Sequence, residues 1–157
     1  MIPLQRNQFL VVVDDTPECK LALRYASRRA ERTGGGVTLF YVIQKTDRQV
    51  FGAVENLMAA EAREEALRLL TELSEQVRKE HSVTPEMVVR EGKPRDELLK
   101  LISEDPTIRV LVLGTGTGKE GPGPLVSALF GQTLGTLKVA LTLVPGGLTP
   151  EEVDGLA

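Results

Sequence analysis

The stretch RVLVLGTGTGKEGPGPLVSALFGQTLG, residues 109–135, decides the fold. It begins with a run of Val and Leu at 110–113 that does not alternate with polar residues, which is typical of a parallel strand covered on both faces. Five glycines and two prolines follow between residues 114 and 124. Beyond them, apolar or small residues recur at helical spacing at Val126, Leu129, Phe130, Thr133, Leu134 and Leu137. The stretch therefore predicts a strand, a glycine-rich loop and one helix.

The glycines of this loop remove side chains where the phosphates of a ligand would need to approach the backbone. Pro124 suits the first position of the helix, so the free amides of the next turn, with Ser127 close by, should face the loop. Such a helix start attracts anions. A loop of glycine and proline on the surface, without a ligand, is the alternative, and the residues alone favour neither interpretation.

Two common phosphate-binding motifs do not match this loop. A Walker A motif needs Ser or Thr after Lys119, where the chain has Glu120, and it needs glycine where the chain has Leu113. The spacing of Gly116, Gly118 and Gly121 matches GxGxxG, but it follows a late strand and is interrupted by prolines. We therefore exclude a Walker A loop and give the second match little weight.

Composition narrows the class of protein. A chain of 157 residues predicts one domain over 1–157, with 145–157 as a C-terminal tail. Only 4% of the residues are aromatic and the formal charge is −3, so neither nucleic acid nor an anionic membrane is an expected partner. One cysteine and one histidine leave no internal disulfide and no zinc cluster. The polar N-terminus and the absence of a long apolar run predict a cytoplasmic protein.

The rest of the chain alternates between strand and helix patterns. His81 has polar neighbours in the chain and is interpreted as a surface histidine. The segment 43–56 has no periodic pattern and is interpreted as a long connection rather than a ligand loop. Cys19 falls on the apolar face of a helix and should be buried. Thr16 should cap that helix, and Thr149 with Glu152 predicts a capping box. The predicted strands cover residues 9–13, 37–42, 87–89 and 139–144, and the further helices cover 17–33, 54–77 and 94–105.

This alternation predicts an α/β fold, a doubly wound and mostly parallel sheet with helices on both faces. In such sheets, ligands bind at the carboxyl ends of strands, where adjacent connections leave to opposite faces. Asp14 and the loop after Leu113 both follow strand ends. If the two strands are neighbours, these residues wall one crevice, although periodicity does not give the strand order.

Three motifs resemble the universal stress protein (UspA-like) family. They are VVVDDTPECKLALRYA at 11–26, the Gly-x-Pro at Gly92 to Pro94, and VLVLGTGTG at 110–118 together with Ser127. The resemblance extends over nearly the whole chain. It implies a five-stranded Rossmann-like sheet with the first strand beside the fourth, and a homodimer that pairs its last strands.

The resemblance also implies a site for an adenine nucleotide, ATP with Mg²⁺. Asp14 would lie near the adenine and ribose, and Val42 would meet the base through its backbone. Gly114, Gly116 and Ser127 would hold phosphates. The other candidate site residues are Val12, Val13, Leu113, Gly118, Val126 and Ala128.

The chain departs from the family's ATP pattern, which is glycine, two residues, glycine, nine residues, glycine, then Ser or Thr. Counted back from Ser127, Val126 and Leu113 fall at glycine positions, although one deletion lets Gly114 and Gly116 serve as the first pair. The Val126 side chain could crowd a phosphate, and Asp15 adds a negative charge beside any triphosphate. A dimeric interaction protein in the stress response that does not bind ATP is therefore the alternative function.

Catalysis is not expected from this sequence. The first loop reads DDTPEC and lacks the SGGxDS type of signature that adenylating relatives use. Asp14 with Mg²⁺ is the one candidate for activating water, so ATP hydrolysis would be weak at most. We assign no catalytic residue and no protein metal site.

Overall fold

The computed structural model describes residues 6–44 and 53–157. Strands and helices alternate along these residues, which confirms the predicted α/β class. The elements are β1 (Gln8–Val12), α1 (Pro17–Thr33), β2 (Gly36–Ile43), α2 (Ala53–Glu80), β3 (Glu86–Glu91), α3 (Pro94–Glu104), β4 (Ile108–Thr115), α4 (Pro124–Leu129), α5 (Gln132–Thr136), β5 (Ala140–Pro145) and α6 (Pro150–Leu156).

The five strands form one sheet in the order β3-β2-β1-β4-β5. Each neighbouring pair runs parallel, so the sheet is wholly rather than mostly parallel. The chain moves from β1 to β3 in one direction, and then returns past β1 to β4 and β5 in the other. The resulting doubly wound topology has its switch point between β1 and β4.

Apolar side chains leave both faces of the sheet, because successive residues of a strand point to opposite sides. Val11 and Leu39 pack into a core with residues of α1 and α2. Leu10 and Phe40, their neighbours in the chain, pack into a second core with residues of α3 and α4. This two-sided burial explains why the strands read as continuous apolar runs.

The C-terminal helix α6 packs against α1. Asp154 accepts hydrogen bonds from Arg24 Nε at 2.7 Å and Nη2 at 2.6 Å, and from Arg28 Nε at 3.2 Å. Thr149 and Glu152 form the predicted capping box at the start of α6, with both hydrogen bonds at 3.1 Å. The hydrogen bond from Arg24 holds the pKa of Asp154 well below its usual range, and the hydrogen bond from Arg28 lowers it by a smaller amount.

Asp154→Asn should lower the free energy of unfolding by about 1 kcal/mol at pH 7, because it removes a partly exposed bidentate ion pair. The folded pKa of Asp154 lies below the unfolded value of about 3.9, so its contribution is full above that pH. It is then lost as the pH falls toward the folded pKa. Urea unfolding between pH 7 and pH 2 should show the two stabilities converging in acid. Glu151→Gln, on an exposed carboxylate of the same helix, is the control; a constant gap between wild type and Asp154→Asn would contradict the prediction.

The predicted single helix after the loop was wrong. The chain forms two short helices, because Phe130 is extended at φ −68° and ψ 154°, and Gly131 has φ 93°. Phe130, predicted on the apolar face, is 54% exposed as a result.

The interpretation of His81 as a surface residue was also wrong. Its side chain is buried beside the end of α2, and its Nδ1 contacts the carboxylate of Glu31 on α1. The residues around His81 in the chain are polar, but its burial involves α1, where Glu31 lies 50 residues earlier.

Only the later part of helix α2 has a buried apolar face. Ala66, Leu70 and Val77 are buried as the apolar pattern predicts, but Val54, Leu57 and Met58 in the first turns of the helix are exposed. The helix begins at Ala53, inside the segment 43–56 predicted as a connection, and residues 45–52 of that segment lie outside the described residues. Within the described ranges, no helix is long and apolar enough to cross a membrane.

Candidate functional site

A crevice opens at the carboxyl ends of β1 and β4. The chain leaves β1 toward α1 on one face of the sheet, and it leaves β4 through the glycine loop toward α4 on the other. The crevice has two lobes that share Val12, Asp14, Pro124 and Leu125. The loop lobe, between the start of α1 and residues 113–126, has a volume of about 580 Å³. The strand lobe, between the ends of β1 and β2 and the start of α3, has about 360 Å³.

Asp14 forms the acidic corner that both lobes share. Its Oδ1 accepts a hydrogen bond from the Thr16 amide at 2.9 Å and another from the Thr16 hydroxyl. Thr16 stands at the N-cap of α1, as predicted, but its hydroxyl makes no capping bond because it is turned toward Asp14. This turn fixes the direction of the Asp14 carboxylate at the edge of the crevice.

The glycine loop folds back on itself. The Gly116 amide donates to the Pro122 carbonyl at 3.0 Å, and the Gly121 amide donates to the Gly118 carbonyl at 3.2 Å. A Cβ on Gly116 would lie 2.9 Å from the Gly121 carbonyl oxygen, closer than side chains approach. Glycine is therefore needed here for the loop itself to close.

Helix α4 begins at Pro124, as predicted, but it has only six residues. The Ser127 amide donates to the Gly123 carbonyl at 3.0 Å, so it is part of the first helical turn rather than a free anion donor. Gly123 itself has φ 119°, a conformation that side chains rarely allow.

The structure brings most of the predicted site residues together. Asp14, Gly114 and Val42 come from three different strand ends and meet at this crevice. Ser127 is exposed and, among the described residues, does not line either lobe. Of the predicted residues, those in the loop lobe are Val12, Asp14, Leu113, Gly114, Gly116, Gly118 and Val126. Those in the strand lobe are Val12, Val13, Asp14, Val42 and Ala128. Their contact with a ligand stays a prediction.

Val126, at a glycine position of the ATP pattern, is 3% exposed. It reaches the loop lobe at its base and packs into the core with residues of α3 and β4, such as Leu98 and Leu111. The valine therefore has a packing role that the motif comparison did not include.

Several charged residues of the crevice were missed from the sequence. Glu18 and Lys119 line the loop lobe, and Lys93 and Arg95 line the strand lobe. Arg95 Nη2 donates to the Thr133 hydroxyl at 2.8 Å, which ties α3 to α5. The sequence places Glu18 in the first turn of the helix that follows Asp14, and this position could have indicated a site residue. Whether the Glu18 side chain faces the glycine loop depends on the pairing of β1 with β4, which the spacing does not show.

Burial and nearby carboxylates raise the pKa of two side chains beside the crevice, Cys19 and Tyr41. Burial raises the pKa of Cys19 to about 11, and the carboxylates of Asp14, Glu18 and Asp15 add to the rise. The thiol is buried, as predicted, and lies 3.6 Å from the Val12 carbonyl oxygen. Burial also raises the pKa of Tyr41, with contributions from Asp15, Glu65 and Asp14.

Among the residues that the structure describes, no group of three or more His, Cys, Asp and Glu side chains is placed to hold a metal ion.

The parallel, doubly wound sheet and the crevice at its switch point define a Rossmann-like α/β protein. The model of the universal stress protein family matches residues 6–134. The chain therefore belongs to the universal stress protein family. No curated protein sequence is significantly similar to it.

Solved structures share the fold at low sequence identity. The universal stress protein UspA from Lactobacillus plantarum superposes with a TM-score of 0.71 at 18% identity, over 89% of this chain and 98% of that one. A universal stress protein in complex with cAMP superposes with a TM-score of 0.61 at 16% identity, over 89% of this chain and 97% of that one. A family protein from Arabidopsis thaliana with AMP bound superposes with a TM-score of 0.60 at 16% identity, over 88% of this chain and 91% of that one.

Proposed function

We propose that this protein acts in the stress response by binding an adenine nucleotide in the crevice between β1 and β4. The observation that carries the proposal is the meeting of Asp14 with the glycine loop at the switch point of the sheet. Ligands of parallel doubly wound sheets bind at this position. The complexes of two structural neighbours with cAMP and AMP support the choice of nucleotide.

In this proposal the purine lies in the strand lobe, near the Val42 backbone, and the ribose lies near Asp14. The phosphates point into the loop lobe toward Gly114, Gly116 and Gly118. These roles come from the family resemblance, and ATP with Mg²⁺ is one member of the proposed ligand class. We propose binding without turnover, because the chain offers Asp14 as its one candidate for activating water.

Filling the strand lobe should weaken AMP binding without harming the fold. Ala128 is exposed on α4 and lines this lobe, so Ala128→Phe places a ring where the purine would lie. We expect calorimetric titration of nucleotide-stripped protein with AMP to show at least roughly tenfold weaker binding in this variant, a loss of about 1.4 kcal/mol. Ala60→Phe, on an exposed part of α2, should bind AMP like the wild type. Equal affinities in all three proteins would contradict this site.

We also propose that the protein is a homodimer through β5, the association that the alternative function requires. β5 is an edge strand of the sheet, and Leu143 on it is 36% exposed. Leu143 shares a strand face with Leu141, which packs toward the α3 and α4 side. A free strand edge with exposed apolar residues is a common place for chains to pair.

Leu143→Lys should therefore convert a dimer into a monomer, because it places a charge in the apolar part of the paired edge. Analytical ultracentrifugation should give twice the chain mass for the wild type and the single chain mass for the variant. Leu156→Lys, on α6 and also apolar to charged at an exposed site, should remain dimeric. A wild type that sediments as a monomer would exclude the dimer.

A further inference from the structure

The position of Glu18 is fixed by contacts at the carboxyl end of β4. A Cβ on Gly114 would lie 2.5 Å from the Glu18 carbonyl carbon, so the first turn of α1 rests directly on this strand. Glu18 Oε1 lies 3.4 Å from the Cβ position of Gly116, and Glu18 Cβ lies 3.1 Å from that of Gly146. The Glu18 carboxylate is therefore held against the glycine loop rather than in open solvent.

The two lobes of the crevice differ in charge. The loop lobe has the carboxylates of Asp14, Glu18 and Glu120 against the single ammonium of Lys119. The strand lobe has two carboxylates, on Asp14 and Asp15, and two cationic side chains, on Lys93 and Arg95. The loop lobe thus has an excess of two negative charges, whereas the strand lobe is balanced.

A nucleotide with its purine in the strand lobe would extend its phosphates into the more negative lobe. Each phosphate beyond the first brings further negative charge toward Glu18, and the repulsion is strongest where the crevice limits access of water. The length of the phosphate chain therefore becomes the property that this crevice discriminates.

We propose that Glu18 is a specificity-determining residue that makes the crevice select adenosine monophosphates over ATP. This inference rests on the proposed function, since it concerns the ligand of the same site. It also explains how the chain can keep the fold and crevice of the family while departing from the ATP pattern. A divalent cation that travels with ATP should weaken the selection, because it cancels part of the phosphate charge.

The test is calorimetric titration with adenosine, AMP, ADP and ATP in buffer without Mg²⁺. We expect the wild type to bind AMP at least about tenfold more tightly than ATP. Glu18→Gln should tighten ATP binding by about tenfold and AMP binding by about threefold, because ATP carries more charge past residue 18. Glu75→Gln, which removes an exposed carboxylate from α2, should leave every affinity unchanged. Adding Mg²⁺ should narrow the wild-type difference between AMP and ATP.

Glu120→Gln, on the exposed loop, provides a second variant, with a smaller gain for ATP in the same direction. If Glu18→Gln does not fold, this variant tests whether the negative charge of the loop lobe selects against ATP. Wild-type protein that binds ATP as tightly as AMP in the absence of Mg²⁺ would overturn the role of Glu18. An unchanged ratio of the two affinities in the folded variants would do the same. Both results leave adenine binding in the crevice intact, whereas no binding of any of the four ligands would overturn the proposed function as well.

Discussion

Gly114→Ala is expected to lower the free energy of unfolding by about 3 kcal/mol. The added methyl group would lie 2.5 Å from the Glu18 carbonyl carbon and even closer to its oxygen. Both atoms belong to the backbone of α1, so no side-chain rotation relieves the contact. Helix α1 would have to move away from β4 at the rim of the crevice. Urea unfolding followed by circular dichroism measures the loss.

Gly118→Ala is the matched control for this substitution. It makes the same chemical change in the same loop, but nothing lies within 4 Å of a Cβ at residue 118. Its free energy of unfolding should stay within about 0.5 kcal/mol of wild type. Equal stability of the two variants would show that α1 does not rest on Gly114 as described.

Val126→Gly should also lower the free energy of unfolding by about 3 kcal/mol, because it removes a buried side chain and puts glycine inside α4. The substitution restores glycine at a position of the family's ATP pattern. It should nevertheless give no large gain in ATP affinity, since Glu18 and Glu120 remain in the loop lobe. Unfolding and calorimetric titration of the same preparation test both parts.

Ser127→Gly separates the packing effect of Val126 from the effect of glycine on the helix. Residue 127 is exposed in the same helix, so this variant should lose only about 1 kcal/mol. A Val126→Gly protein as stable as Ser127→Gly would contradict the core role of the valine. A large gain in ATP affinity in Val126→Gly would show that the valine, rather than the acidic side chains, excludes phosphates.

The fold was predictable because its signals are local. Runs such as 110–113 and the helix that begins at Pro17 show their period within a few residues, and glycine or proline marks their ends. Two features were not predictable from local patterns. The break at Gly131 depends on a φ of 93°, and the burial of His81 depends on Glu31 in another helix.

The candidate site was predictable in part for the same reason. Asp14 and the glycines follow strand ends, and parallel topology gathers such residues at one edge of the sheet. The pairing of β1 with β4, which joins them into one crevice, came from the family resemblance and not from periodicity. The direction of Glu18 depends on side-chain placement, which no spacing of residues reveals. The hydrogen bond of the Ser127 amide to Gly123, in contrast, follows from a helix that begins at Pro124.

The most direct test of nucleotide binding in the crevice is an NMR titration of ¹⁵N-labelled, nucleotide-stripped protein with AMP. We predict saturable shifts in the amides of residues 12–15, 42, 113, 114, 116–118 and 128, which line the two lobes, and none in α6. Saturation should need at least about tenfold more AMP in Ala128→Phe than in the wild type, and an unchanged amount in Ala60→Phe. An absence of shifts at high AMP concentration, or saturable shifts confined to another surface such as β5 or α6, would contradict the proposed site.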